Sequence, residues 1–189
     1  MDRSSMDNFF TYRLNMRPIT EADLPLLQQW SQCPAAYGEH LSMECWSLEE
    51  CHAKLQNASF WSDAAKTYVM ELKADQQLIG TLRYWCKPDT PSTAMIALKV
   101  AIPEQRGKGY GTEAQKGLCR ELFTKYHIQD IDVFTAMDNR PEQRCLEKLD
   151  FTFVGFQSYQ DQDHERQGKL YRLSKARYQQ SSVHLYYYD

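Results

Sequence analysis

Three glycines at alternate positions, Gly107, Gly109 and Gly111, lie within Val100-Ala-Ile-Pro-Glu-Gln-Arg-Gly-Lys-Gly-Tyr-Gly-Thr-Glu-Ala114. A strand-like run precedes them and ends at Ile102, where Pro103 stops a ladder, and an amphipathic helix opens at Thr112. Glycine leaves neighbouring amides unscreened by side chains. The first amides of a helix lack intrahelical acceptors and sit at the positive end of its dipole. Strand end, glycine turn and helix start together make an anion cradle of a size that suits a pyrophosphate. Arg106 and Lys108 bring formal positive charge to the same place. The plain alternative is a glycine-rich turn that binds nothing. Two better-known phosphate motifs do not fit: Lys108 is followed by Gly109 where a Ser or Thr is needed, and G-x-G-x-G is not G-x-G-x-x-G, with no early βαβ unit before it.

The elements that must position this turn are readable from periodicity. Ala114, Leu118, Leu122 and Tyr126 recur at helical spacing over residues 112–126, with Cys119 and Phe123 beside them. Upstream, residues 12–19 read as a strand, and Thr20-Glu-Ala-Asp23 starts a helix in capping-box fashion that runs through Leu24, Leu27 and Trp30. Ser47-Leu-Glu-Glu50 is a cleaner capping box, opening a helix through Cys51 and Leu55, and residues 33–46 between the two read as a loop or broken helix. Residues 67–72, 77–85 and 93–102 are strand-like, separated by an Asp75-Gln76 turn and the Lys87-Pro-Asp-Thr-Pro91 cluster. Residues 131–137 form a further strand. Pro141 suits the first turn of a helix bearing Cys145, Leu146 and Leu149, and 151–159 with 169–175 complete a strand pair. The order β-α-α-β-β-β-α-β-α-β-β predicts an α+β fold with a mixed sheet of about six to seven strands and about four helices. No repeat or linker divides the chain, so residues 1–189 read as one domain with a core over about 14–173. The tail, 179–189, is expected to be disordered or loosely packed rather than a strand added to a sheet edge or a partner subunit.

At 189 residues the chain has length for one sizeable core, and 42% hydrophobic with 25% charged residues excludes wholesale disorder. A net charge of −3 argues against a general nucleic-acid binder, whose affinity needs clustered Lys and Arg. No apolar run approaches the roughly 18–20 residues of a membrane span, and residues 1–11 carry no signal-peptide apolar region, so a cytoplasmic protein is expected. The six cysteines form no C-x-x-C pair and the five histidines no H-x-x-x-H pair. Reduced, mostly buried thiols and no metal site are therefore expected.

Arg106-Gly-Lys-Gly-Tyr-Gly111 resembles the R/Q-x-x-G-x-G/A segment that holds the coenzyme A pyrophosphate in acetyltransferases of the GNAT superfamily. Asn15-Met-Arg-Pro-Ile-Thr-Glu-Ala-Asp-Leu24 is similar to that family's opening strand and helix, and Leu78-Ile-Gly-Thr-Leu82 to its third strand. Asn139 followed by Leu146-Glu-Lys-Leu-Asp-Phe151 resembles its N-x-x-S-x-x-x-Y/L-E-K-x-G-F helix. The likeness covers about residues 14–173 and looks closest to the branch of ribosomal-protein N-terminal alanine acetyltransferases.

The resemblance implies acetyl-CoA as co-substrate, no metal, and direct transfer to a primary amine in a ternary complex. The acceptor is a small-molecule amine or a peptide N-terminus; polyamine-like and aminoglycoside-type amines both stay open, and a homodimer is allowed. Cofactor contacts carry over to Arg106, Gly107, Lys108, Gly109, Gly111 and Thr112, and oxyanion-stabilising amides to the strand end at Val100, Ala101 and Ile102. That strand and the next, ending near Ile102 and Met137, are expected to diverge and admit the pantetheine arm. Asn139 carries over as the catalytic candidate and as a cofactor or acceptor hydrogen-bonding residue; its other reading is a helix cap before Pro141. Three departures stand out: Ile96 falls where many members have a basic Glu, Leu146 where they have an acidic Tyr, and Asp150 where they have Gly. Glu39, His40, Glu44, Glu71, Tyr159 and Tyr171 are the remaining acid–base candidates, and no single carboxylate or tyrosine among them is expected to control turnover. Tyr37, Trp46, Trp61, Tyr84 and Trp85 line an acceptor cleft or pack the core. The alternative from another class is a catalytically silent acyl-CoA-binding module, kept open by an intact cradle beside absent acid–base residues.

Overall fold

The structure, a computed structural model, describes residues 7–161 and 164–185. Strands β1 (Phe9–Phe10) and β2 (Leu14–Pro18) lead through a 3₁₀ turn (Glu21–Asp23) into α1 (Leu24–Ser31), then α2 (Pro34–Tyr37) and α3 (Leu48–Gln56). Strands β3 (Ala65–Leu72), β4 (Leu78–Lys87) and β5 (Thr90–Val100) follow, then a 3₁₀ turn (Pro103–Gln105), α4 (Tyr110–Thr124), β6 (Asp130–Ala136), α5 (Arg140–Lys148), β7 (Thr152–Asp161), β8 (His164–Ser174), α6 (Lys175–Gln180) and α7 (Ser182–Leu185). All eight strands form one sheet in the order β1-β2-β3-β4-β5-β6-β8-β7. The extra strand beyond the six to seven expected is β1, whose two residues are too short to show a period and are recruited by pairing Phe9 with Met16 and Phe10 with Asn15. Among the described residues the helices number seven rather than about four, because α2, α6 and α7 are short helices carried by tertiary contacts.

Each face of the sheet has its own core. On one side α4 and α5 bury Leu118, Leu122, Phe123 and Leu146 against Tyr68, Leu82, Tyr84 and Ile96. On the other, α1, α2 and α3 bury Leu24, Leu27, Trp30, Tyr37 and Cys51 against Val69 and Ala101. Each such fully buried aliphatic side chain contributes roughly 1.5–3 kcal/mol. At the root of the second face, Arg17 clamps Asp23 through Nη1 and Nη2 at 2.8 and 2.9 Å and Glu71 through Nε at 3.1 Å. Burial alone would raise the Asp23 pKa, but the Arg17 fork with the Thr20 amide and hydroxyl outweighs it and holds the carboxyl below its usual range.

Every neighbouring pair is antiparallel except β5 and β6, which α4 joins as a parallel crossover. These two pair only over Thr93–Met95 and Asp130–Asp132. Beyond that point β5 continues to Val100 and β6 to Ala136 without pairing, so the sheet opens between their C-terminal ends, as the sequence led us to expect.

The tail departs from expectation. As far as Leu185 it is helical, with His184 buried and its Nε2 2.9 Å from the Leu149 carbonyl. Residues 186–189 lie outside the described residues. Among the described residues no helix is long and apolar enough to cross a membrane, and no His/Cys/Asp/Glu group could hold a metal ion. The six cysteines are all free; Cys51, Cys119 and Cys145 are buried while Cys45 is exposed.

Candidate active site

Gly109 is the residue at the N-cap of helix α4, and its φ of +85° places it in the left-handed region, as does the +73° of Gly107. Two such residues so close in the chain turn successive amides toward one side, a geometry that a side chain would strain. The first intrahelical bond runs from the Glu113 amide to the Gly109 carbonyl at 3.0 Å, so the amides of residues 109–112 have no intrahelical acceptor. A Ser or Asp cap would occupy one of them; Gly109 offers no side-chain cap. Open space surrounds Gly107, where an added Cβ would meet nothing within 4 Å. At Gly111, by contrast, a Cβ would come within 2.8 Å of Leu98 Cδ2, so this third glycine lets the helix start lie directly on β5. Glu113, the carboxylate of the first turn, is drawn away from the cradle. It accepts from the Thr11 hydroxyl and the Arg13 amide at 2.6 Å and from Arg13 Nε at 2.7 Å. Burial works to raise its pKa, these hydrogen bonds more than offset that, and it stays a neutralised anion that does not repel a phosphate. Exposed donors, a glycine floor and absent side-chain caps fit a coenzyme A pyrophosphate.

At the end of β5 the amides divide. Ala101 and Ile102 both donate to the Ile79 carbonyl, at 2.8 and 3.4 Å, so these two expected oxyanion donors are already engaged. Alternate residues of an antiparallel strand turn to opposite sides. With Ala101 facing β4, the Val100 and Leu98 amides turn toward the gap left by β6. Of the three residues expected there, Val100 is the one that this alternation turns toward the gap.

Arg106 does something its motif position did not suggest. Its Nε donates to the Val100 carbonyl at 2.9 Å and its Nη2 to the Ala35 and Ala36 carbonyls at 2.6 and 3.0 Å. The guanidinium thus ties the glycine turn to α2. Lys108 holds Gln105 Oε1 through Nζ at 3.0 Å, and its carbonyl accepts from Arg13 Nη1 at 3.0 Å. Thr112 is half-buried in the first turn of α4. Asn139 caps α5, its Oδ1 accepting from the Glu142 amide at 3.2 Å, which leaves its NH₂ group for other partners.

On the opposite face from α4, a cavity of about 450 Å³ lies over β4 and β5, walled by α2 and the 38–47 loop and lined by Thr81, Arg83, Trp85, Ala97 and Lys99 among others. The loop is pinned to the end of α1: the Cys45 amide donates to the Ser31 carbonyl at 2.9 Å, and the Trp46 amide to Ser31 Oγ at 3.0 Å. That anchoring brings Glu44 over β5. Its Oε2 accepts from the Tyr37 hydroxyl at 2.6 Å and from Lys99 Nζ at 3.5 Å, and Lys99 Nζ also lies 4.1 Å from the Tyr37 ring centre. Burial pushes the Lys99 pKa down, with Glu44 opposing. Burial first, then the Glu44 contact, push the Tyr37 hydroxyl up, so Tyr37 stays a donor throughout the physiological range.

The six acid–base candidates separate on this geometry. Glu44 faces the cleft. Glu71 is held by Asn15 and Arg17, Tyr159 stacks on Phe134, and Tyr171 is buried. His40 sits 3.4 Å from Asp138 beside the β6–α5 corner, and Glu39 is exposed. Ile96 and Leu146 lie in the α4-side core, so a carboxylate or phenol at either position would not reach this cleft. Asp150 has φ +67°, the left-handed conformation expected of a residue replacing glycine. Among the aromatics, Trp46 and Trp85 line the cleft with Tyr37, while Trp61 and Tyr84 pack the core. Lys99 was not singled out from the sequence, although it is the charged residue within an otherwise apolar run from Ala94 to Ile102.

The acetyltransferase (GNAT) domain family model matches residues 13–152. A curated relative, the N-acetyltransferase 9-like protein of Nematostella vectensis, is 24% identical over 150 residues, covering 72% of this chain and 73% of the relative. RimL, the ribosomal L7/L12 α-N-protein acetyltransferase solved with coenzyme A, superposes with a TM-score of 0.73 at 18% identity, over 87% of this chain and 95% of its own. A chimera of spermidine N-acetyltransferase SpeG from Vibrio cholerae gives 0.73 at 19% identity, over 89% and 99%. These structures share the fold; the family match spans most of the chain and includes the cradle. The chain therefore belongs to the acetyltransferase (GNAT) domain family, and it is an N-acetyltransferase whose acetyl donor is acetyl-CoA.

Proposed function

We propose that the cleft over Lys99 receives a primary amine and that Glu44 takes the amine's proton during transfer. The observation carrying this is the place of Glu44 in the cleft wall, above the end of β5 where the sheet opens. A peptide α-amine has a pKa of about 8 and a lysine-like amine about 10.4, so either must lose a proton to become nucleophilic. Both contacts to Glu44 fall on Oε2, so Oε1 keeps its lone pairs for an incoming N–H. Tyr37 and Lys99 orient the carboxylate, and Lys99 balances its charge. Acetyl-CoA, when bound, supplies the acetyl group as a thioester. The amides of residues 109–112 hold its pyrophosphate, the Val100 amide faces developing negative charge in the gap, and Asn139 offers its NH₂ at the far side of that gap. RimL is named for a protein N-terminus and SpeG for spermidine, which supports a primary amine as the acceptor. A cytoplasmic location suits dependence on acetyl-CoA. A homodimer is supported by the sheet edge β7, where Phe153, Val154 and Phe156 are exposed.

Glu44→Gln tests the assignment. Acceptor-dependent release of coenzyme A is expected to fall by about 10²–10⁴-fold with coenzyme A affinity unchanged, which replaces the expectation from sequence that no single carboxylate controls turnover, because Glu44 alone of those candidates lines the cleft. Turnover within threefold of the parent removes Glu44 from the role. Coenzyme A binding with no amine of any class consumed restores the silent-module reading.

A further inference from the structure

The charges lining the cleft are unbalanced. Against Glu44 stand Lys54, Arg83 and Lys99, and Arg166 of β8 reaches the same wall, its Nη2 donating to the Ser42 hydroxyl at 2.9 Å. Lys99 spends its charge on Glu44. Arg83 and Lys54 form no such close pair: among the described residues neither has a carboxylate within 4.0 Å, although Glu50, one turn back on α3, feels the charge of Lys54, and each lies over an aromatic ring. The Arg83 guanidinium lies 5.4 Å from the Trp85 ring centre and Lys54 Nζ 4.9 Å from that of Trp46. Nor do they serve the pyrophosphate. Thr81, Arg83 and Trp85 face away from Leu82 and Tyr84, which pack on the α4 side, whereas Leu98 on that side touches the start of α4. Two cations fixed on ring faces in a cleft, on the side of the sheet away from the cofactor cradle, are a recognition surface for negative charge.

We infer that the acceptor is an amine whose other end is anionic, with Arg83 and Lys54 receiving its carboxylate or phosphate groups while the amine meets Glu44. This rests on the cleft being the acceptor site. The register sets the spacing: Lys99 pairs with Thr81 and Ala97 with Arg83, so Arg83 lies two residues along the strand from the Lys99–Glu44 pair, about 7 Å by strand rise. That span fits an N-terminal residue followed by acidic side chains, or a small amine carrying a terminal acid. It disfavours a polycation, which would set like charge against Arg83 and Lys54.

The test compares four acceptors at low and high salt: a heptapeptide beginning Ala-Asp-Glu, its counterpart beginning Ala-Lys-Lys, spermidine, and phosphoethanolamine. kcat/KM comes from coenzyme A release, and binding to the coenzyme A-loaded protein from quenching of tryptophan fluorescence. The anionic acceptors are expected to exceed the cationic ones at least tenfold at low salt, with the gap narrowing as salt screens it. Arg83→Glu, with Lys54→Glu as a second variant, is expected to invert the order. A preference for the acidic peptide places the acceptor in a protein N-terminus, one for phosphoethanolamine in a small metabolite, and both uphold the inference. Spermidine or the basic peptide binding as well as the acidic one overturns it. Selective binding of anionic acceptors without turnover upholds the charge selection and sinks the acetyl-transfer reading of the cleft alone.

Discussion

Replacing Arg106 by Ala separates two roles that the glycine motif alone does not distinguish. If the guanidinium were a pyrophosphate ligand, its loss would weaken coenzyme A and leave the empty protein as stable as before. The geometry predicts a different pattern. Three donor contacts at 2.6–3.0 Å join the glycine turn to the Val100, Ala35 and Ala36 carbonyls. Each such bond contributes roughly 1 kcal/mol net at a solvent-exposed guanidinium, and the Ala36 carbonyl, on a residue only 1% exposed, is stranded when its donor is removed. The expected destabilisation is about 2–3 kcal/mol, which for a domain of this size lowers the melting temperature by roughly 4–12 °C. Because α2 carries Tyr37, which donates to Glu44, slackening α2 is expected to raise the KM for the acceptor more than the dissociation constant for coenzyme A. Arg106→Lys is expected not to restore stability, since an ammonium cannot reproduce a fork that reaches three carbonyls. Thermal unfolding of the ligand-free protein, with calorimetry of coenzyme A binding, reads both effects. An unchanged melting temperature together with a tenfold or greater loss of coenzyme A affinity would refute the bridging role and return Arg106 to the phosphate.

Two further outcomes follow from the same structure. Gly109→Val is expected to abolish coenzyme A binding by calorimetry while costing the fold about 1–2 kcal/mol, because a Cβ at φ +85° is strained and would press on Arg13 Nη2 at 3.4 Å; normal affinity in that variant would remove the cradle. Asp23 has a folded pKa below its unfolded one, so the unfolded chain takes up the proton first. Its stabilisation is complete above about pH 4 and is lost as pH falls through the folded value, and Asp23→Asn is expected to lower stability at pH 7 while flattening the acid limb of a denaturation series; an unaltered acid limb would show that the Arg17 clamp contributes nothing.

Much of the fold was legible where local chemistry fixes local structure. The Ser47–Glu50 box forms as read, with the Ser47 amide 2.6 Å from Glu50 Oε2 and the Glu50 amide 3.1 Å from Ser47 Oγ. Seven strands were announced by apolar periodicity and turn residues. The rest depends on distant partners. Strand β8 begins at His164, well before the expected 169, because His164-Glu-Arg-Gln-Gly168 offers no apolar alternation and becomes a strand by pairing with β7. The tail is helical through docking: Tyr178 packs on Phe123 at 4.7 Å between ring centres, and His184 caps the Leu149 carbonyl.

The two halves of the site differ in the same way. The cofactor cradle is a property of backbone, and glycine is the residue that announces backbone exposure, so Gly107, Gly109 and Gly111 could be read in isolation. The proposed acceptor half is a property of side chains that meet only in three dimensions. One signal for it was present: Lys99 lies in the apolar run Ala94-Met-Ile-Ala-Leu-Lys-Val-Ala-Ile102. A cation largely withdrawn from water needs a carboxylate, and its alternation with Leu98 and Val100 puts it on the face away from α4. The partner therefore had to come from the segments crossing that face, and residues 33–46 supply only Glu39 and Glu44. What chooses Glu44 is the tether of Cys45 and Trp46 to Ser31, a contact invisible to any local pattern. On the proposed reading, a base carried on a tethered loop rather than on β5 itself leaves the strand position near Ile96 free to serve the core, and an apolar residue there is consistent with an active enzyme.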